Sequence, residues 1–278
     1  TIEVNETRYM GANSVSDPAI FCVEIEPDAE MTLLSGKVTN TNEASESSAV
    51  ICNYGTLNLN GGTVEGVFGV SNRAPTRFSD QADYTNLQAV CTVDGGTVQG
   101  VPCTYYKGDE LQGETGWSWG VGLFGPGLGA DGTGKVNNDA VVLNVRGSST
   151  ISAAQAIGTN ASSGRYAGNT INISGGRIDG GADGTGMYLP AIGVTNISDG
   201  TIIGAQGIRI CAGELNVTGG TIEGTALAND QDLVAGGSGG TAGAIVIGKA
   251  SGGYIGDIVV NVSENATVKN SAEGDGVK

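Results

Sequence analysis

A six-residue phrase recurs along this chain and constrains its fold more than any other feature. Its pattern is one or two glycines or small residues, usually threonine next, then valine or isoleucine, any residue, and glycine or a stand-in. Clear copies read Gly61-Gly62-Thr63-Val64-Glu65-Gly66, Gly95-Gly96-Thr97-Val98-Gln99-Gly100 and Gly219-Gly220-Thr221-Ile222-Glu223-Gly224. Close copies run from Gly175 to Gly180 and from Asp199 to Gly204, and weaker ones centre on Val38, Ile151 and Val268. Self-similarity at separations of a few tens of residues marks a stacked repeat, in which each unit buries its apolar face only against its neighbours.

Most copies are preceded by an apolar–polar–apolar alternation: Leu57-Asn58-Leu59, Leu143-Asn144-Val145, Ile171-Asn172-Ile173, Leu215-Asn216-Val217 and Val260-Asn261-Val262. Alternation sets the aliphatic residues on one face of a strand and asparagine on the other. The glycine pair then turns the chain, and a second short strand sends its Val or Ile inward. The closing glycine reads as a turn residue of positive φ, for which Asn40 and Asn270 stand in. A third recurring segment completes the unit. It reads Ala49-Val50-Ile51-Cys52, Gln155-Ala156-Ile157-Gly158 and Ile245-Val246-Ile247-Gly248, with further copies at 19–22, 88–91, 190–193 and 208–211.

Three short strands and three turns per repeat predict an all-β fold: a single parallel β-helix, or β-solenoid, of about eight rungs. The shortest spacing between template positions, Ile202 to Ile222, approximates a bare rung. Longer spacings are rungs carrying loops, the largest near 101–140 and 225–244. The solenoid is expected over 19–278, with 1–18 as a cap or lead-in. Composition agrees. The chain has 49 glycines and only 5% aromatic residues, which suits narrow seams and many tight turns better than a globular core.

The repeat resembles the right-handed parallel β-helix of the pectin-lyase-like superfamily and, more narrowly, adhesin-like bacterial surface proteins with Gly-Gly-Thr-Ile-x-Gly repeats. The resemblance covers roughly residues 19–270. It implies a right-handed coil and a secreted or surface-displayed protein. It does not imply one activity, because that fold hosts lyases, hydrolases, tailspikes and inert stalks. Its hydrolases use clustered aspartates, typically with an Asp-Asp pair and a histidine. This chain has neither. Its lyases hold calcium on stacked carboxylates. Here the outward variable column reads Thr39, Glu65, Gln99, Ser152, Asp179, Ile203, Glu223 and Lys269, so carboxylates alternate with other groups instead of clustering.

Candidate sites follow from the loops. Trp117 and Trp119, the only tryptophans, share one excursion with Tyr105 and Tyr106. Aromatic faces stack on the C–H faces of sugar rings, so these four residues are the candidate carbohydrate contacts, with packing against the solenoid as the plain alternative. If the chain is an enzyme, Asp179, Asp183 and Glu223 are the acidic candidates, with a solvated turn as their plain reading. No metal or cofactor is expected; zinc lacks its usual ligands in a chain without histidine or a close cysteine pair. Cys22, Cys52, Cys91 and Cys211 align in the third segment, where other repeats carry glycine. They read as buried thiols at a tight position, with Cys22–Cys52 or Cys91–Cys103 disulfides as the alternative. Sequons at Asn172, Asn196, Asn216 and Asn261 coincide with the repeat asparagines.

The net charge of −16 disfavours nucleic acid and anionic membrane as partners, and no apolar run is long enough to span a bilayer. The expectation is an extracellular or cell-surface stalk or carbohydrate-contacting module without catalysis, its partners glycans or host and cell-surface polysaccharide. Alternatives are a lyase or hydrolase acting on acidic polysaccharide, and a filament subunit stacking through its rung ends. The absence of an initiator methionine and the polar stretch after Val268 suggest a processed form or fragment, whose last rung meets a neighbouring domain or another copy.

Overall fold

The computed structural model describes residues 2–4, 21–40, 49–75, 87–101, 103–107, 110–115, 118–126, 139–159, 166–226, 242–250 and 253–272, with 2–4, 103–107 and 110–115 as backbone only. Among the described residues every regular element is a β-strand. The strands form one 15-stranded sheet, one eight-stranded sheet and one hairpin. Pairing in both large sheets is parallel; the hairpin of Cys103–Lys107 with Glu110–Thr115 is antiparallel.

The six-residue template forms half of the larger sheet. Lys37–Asn40, Thr63–Gly66, Thr97–Gly100, Thr150–Ser152 and Thr221–Gly224 pair in sequence register with each other or with the second halves of the long strands Asn169–Asp179 and Gly193–Gly204. Val38, Val64, Val98, Ile151, Ile178, Ile202 and Ile222 therefore stack in one column, each at most 1% exposed. Burying such a side chain is worth about 1.5–3 kcal/mol, so the column is a principal source of cohesion. Thr267–Asn270 continues it at one end and Ile2–Val4 at the other. Ile2 escapes the sequence pattern because no glycine precedes it.

Glycine serves the template for two different reasons. Gly62, the second of its pair, has φ 74°, and a Cβ there would come within 2.7 Å of the Gly36 carbonyl oxygen. The closing glycines do not have positive φ, contrary to the sequence reading. At Gly100 it is space that forbids a side chain: a Cβ would lie 2.6 Å from that of Ala153 and 2.8 Å from the Trp119 carbonyl oxygen.

The alternating strands form the other half of the sheet. Thr32, Asn58, Thr92, Asn144, Asn172, Asn196, Asn216 and Asn261 share one column. Four successive amide bonds join its last five members. Asn172 donates to the Asn144 Oδ1 at 3.1 Å, Asn196 to Asn172 at 3.0 Å, Asn216 to Asn196 at 3.1 Å, and Asn261 to Asn216 at 2.8 Å. The sequon asparagines are thus members of a hydrogen-bonded ladder.

The eight-stranded sheet holds Val23–Ile25, Ala49–Asn53, Phe68–Arg73, Trp119–Phe124, Gln155–Thr159, Thr185–Leu189, Gln206–Ile210 and Gly243–Ile247. The sequence windows for this strand need correction at several places. The strand near residue 20 is Val23–Ile25, and residues 89–91 belong to Ala89–Asp94 of the larger sheet, while Phe68–Arg73 and Trp119–Phe124 follow the first and second clear templates in this one. Residues 190–192 form a bend between Thr185–Leu189 and the strand that begins at Gly193. Alternation could not set the register, because both faces of this sheet are buried: Ala49–Asn53 and Thr185–Leu189 are buried throughout.

The same slip misplaces the cysteines. Cys52 pairs with Glu24 and Ser71 in the eight-stranded sheet. Cys91 lies between Leu57 and Leu143 in the asparagine half of the larger sheet. Cys211 follows Ile210 and packs with Tyr188 and Ala250. They share no structural position. All four described cysteines, Cys22 included, carry thiols and no disulfide, and Cys52, Cys91 and Cys211 are fully buried.

In chain order the strands visit the eight-stranded sheet, the asparagine half and the template half in turn, then begin again. The main core runs between the sheets, with Ile51, Leu57, Val64, Leu143, Ile157 and Ile178 among its members. Parallel strands in curled sheets with this cyclic order are compatible with a parallel β-helix.

Candidate functional site

A broad cleft opens where three successive chain turns leave the template strands. Its volume is roughly 470 Å3, and it is lined by Gly100, Ser118, Ser152, Asp179, Asp183 and the small residues at 153–154, 180–182 and 184. Backbone bonds lock its walls together. The Ala153 N–H donates to the Asp179 carbonyl at 3.1 Å, and Thr185 N–H to the Ala154 carbonyl at 2.9 Å. The buried Ser118 hydroxyl accepts the Ala154 N–H at 3.0 Å. Small residues at 152–154 and 180–184 leave the space that larger side chains would fill.

Asp179 and Asp183 both line this cleft. Asp179 is already engaged: Oδ2 accepts from Arg177 Nη2 at 2.7 Å and Nε at 3.1 Å, and Oδ1 accepts the Gly181 N–H at 2.8 Å. Asp183 is exposed at the rim. Glu223 is not a wall of this cleft. It shares a column with Asp179, but Ile203 stands between them, which separates the backbones by about 10 Å. Its carboxyl is held below the usual range, first by the hydroxyl that Ser271 donates to it and then by Lys269, whose Nζ lies 3.2 Å away. The three acids are not brought together, and among the described residues no three potential ligands converge to hold a metal ion.

Trp119 lies in the eight-stranded sheet. Its ring stacks on Phe124 at 5.9 Å and meets Phe68 edge-on at 5.2 Å. All three rings converge on Gly122, whose missing Cβ would lie 2.6–2.8 Å from each. The Arg73 guanidinium sits 4.4 Å from the centre of the Phe124 ring. Trp119 thus packs on the sheet. Trp117 lies outside the described residues. Tyr105 and Tyr106 lie on the hairpin strand Cys103–Lys107, with a bulge between them.

The hairpin stands at a telling place. The chain enters it after Gly100 and Val101 and returns at Ser118, and both Gly100 and Ser118 line the cleft. Val101 N–H is anchored to the Gly66 carbonyl at 2.9 Å. Sequence reasoning placed Tyr105, Tyr106 and Trp117 in one loop and Asp179 and Asp183 in another, without joining them. Ser118 and Ser152 it did not single out. Ser152 was legible in principle, since it occupies the variable template column next to Asp179. Of the second excursion, residues 227–241 lie outside the description. No described helix is long and apolar enough to cross a membrane. Comparison with protein families, with curated proteins and with solved structures finds no match to this chain.

Proposed function

We propose that the chain is a single right-handed parallel β-helix of about eight rungs, of the pectin-lyase-like kind, acting at the cell surface or outside the cell as an adhesin-like stalk with a carbohydrate-contacting cleft. The coil is supported by the cyclic strand order and the unbroken Val/Ile column. The observation that carries the contact reading is the hairpin bearing Tyr105 and Tyr106, which leaves and rejoins the chain on the wall of the cleft lined by Ser118, Ser152 and Asp183. Hydroxyls and a rim carboxylate can hydrogen-bond sugar hydroxyls, and a rigid scaffold presents the loop. Catalysis on acidic polysaccharide is the second reading, favoured by Asp179 and Asp183 in one cleft. Against it, Asp179 is consumed by Arg177 and the Gly181 N–H, and Glu223 stands apart with Lys269.

The test is an array of glycans and polysaccharides, pectin and alginate included, probed with the intact chain and with a Trp117→Ala/Asp183→Ala variant. Trp119 is left intact because its loss would open the packing over Gly122. Binding by the intact chain that disappears in a normally folded variant supports the proposal. No binding by the intact chain overturns the carbohydrate contact, and release of uronate products replaces it with the enzymatic reading.

A further inference from the structure

Asn169 begins a strand at the corner where the chain passes from the eight-stranded sheet into the asparagine half of the larger one. The residue is 2% exposed, and among the described residues neither its amide nitrogen nor its amide oxygen has a hydrogen-bond partner. Buried polar groups are nearly always satisfied, by protein or by ordered water, because an unmet one forfeits its hydration without return.

The same corner elsewhere in the fold shows what satisfaction looks like. Asn53 donates to the Asn72 Oδ1 at 2.8 Å and to the Val90 carbonyl at 3.0 Å, and its own Oδ1 accepts the Gly55 N–H at 3.2 Å. Asn72 donates to the Val142 carbonyl at 2.9 Å. Those two amides close the corner with protein groups alone.

At Asn169 the corner holds a chamber instead. Its volume is about 10 Å3, and its walls combine the apolar Ile171, Leu189 and Ile210 with the polar Thr159, Thr195 and Glu214. That is close to the space one water-sized sphere requires. A buried water also needs two to four polar partners. The Asn169 amide offers a donor and an acceptor. Thr159 accepts the Ala191 N–H at 3.0 Å, which leaves its hydroxyl proton to give, and Thr195 is 4% exposed. Among the described residues no three potential metal ligands converge here.

We propose that one internal water molecule is a structural part of this corner, bound by the Asn169 amide and completed by the threonine hydroxyls that share the chamber. It does for Asn169 what Asn72 and the Val90 carbonyl do for Asn53.

A high-resolution crystal structure would show a density peak about 2.7–3.2 Å from Asn169 Oδ1 or Nδ2. In solution, oxygen-17 magnetic relaxation dispersion counts long-lived internal waters. Asn169→Leu, with its native circular dichroism verified, should lose one of them. Should that variant fail to fold, Thr159→Val and Thr195→Val serve instead, and at least one should shorten the residence time. A dry chamber, an unchanged count in folded Asn169→Leu, or unchanged residence in both threonine variants would overturn the proposal.

Discussion

Cys91 sits fully buried between Leu57 and Leu143, and burial pushes its thiol up to about 12. Thiolate is the reactive form, so Cys91 should be inert to a thiol reagent in the native protein. Cys211, whose thiol burial also raises, and Cys52 should behave alike. Titration with a chromogenic disulfide at pH 8 should label these three only after denaturant is added; rapid native labelling of all of them would contradict the packing. The same shift sets a pH dependence. The unfolded thiol loses its proton near 9.0 while the folded one keeps it to about 12. The stabilisation is complete below pH 9 and is lost as pH rises through that window, by on the order of 4 kcal/mol at its end. Urea midpoints measured from pH 8 to 11 should fall for the native sequence and fall less for Cys91→Val. Burial of the cysteines was legible because cysteine and glycine alternated at similar-looking places. Their shared position was not real: smallness is demanded at many points where parallel strands and their turns pack closely, so it cannot align them.

Among elements, the asparagine ladder gives the sharpest test. Asn196→Ala would leave the Asn172 Oδ1 without its donor and the Asn216 Nδ2 without its acceptor. Two lost bonds at about 0.5–1.5 kcal/mol each predict a cost near 1–3 kcal/mol. Asn261→Ala, at the end of the ladder, breaks only one ladder bond and should cost about half as much. Equal costs in equilibrium denaturation would mean the ladder bonds contribute nothing beyond β-propensity. A second test concerns Gly122, where three aromatic rings occupy the place of a side chain. Gly122→Val should lower the melting temperature by several degrees, with a loss of near-ultraviolet circular dichroism from Trp119. The ladder and the template were legible because one face of each strand meets core and the other solvent, so alternation survives in the residues. In the eight-stranded sheet both faces are buried, alternation vanishes, and the register shifted by two residues at Cys22.

At the scale of the whole molecule, stability should grade from centre to end. Val259, Val262 and Val268 are 51%, 49% and 42% exposed, whereas Val141, Leu143 and Val145 are fully buried. Hydrogen exchange should therefore be faster across Ile258–Val262 and Thr267–Asn270 than across Val141–Arg146. Uniform protection would indicate a globular, all-or-none core. The cleft illustrates why function was less legible than fold. Gly100, Ser118, Ser152 and Asp183 are distant in sequence and meet only because successive turns stack, and no residue type among them announces a site. The central claim is that stacking, and it predicts distances. Thr63, Thr201, Thr221 and Thr267 share one template column, at zero, four, five and six strand spacings. Spin labels paired between Thr63 and each of the others, read by pulsed dipolar spectroscopy, should give separations rising evenly, about 19, 24 and 29 Å. Separations that do not increase with the number of intervening strands would contradict the coil and everything built on it.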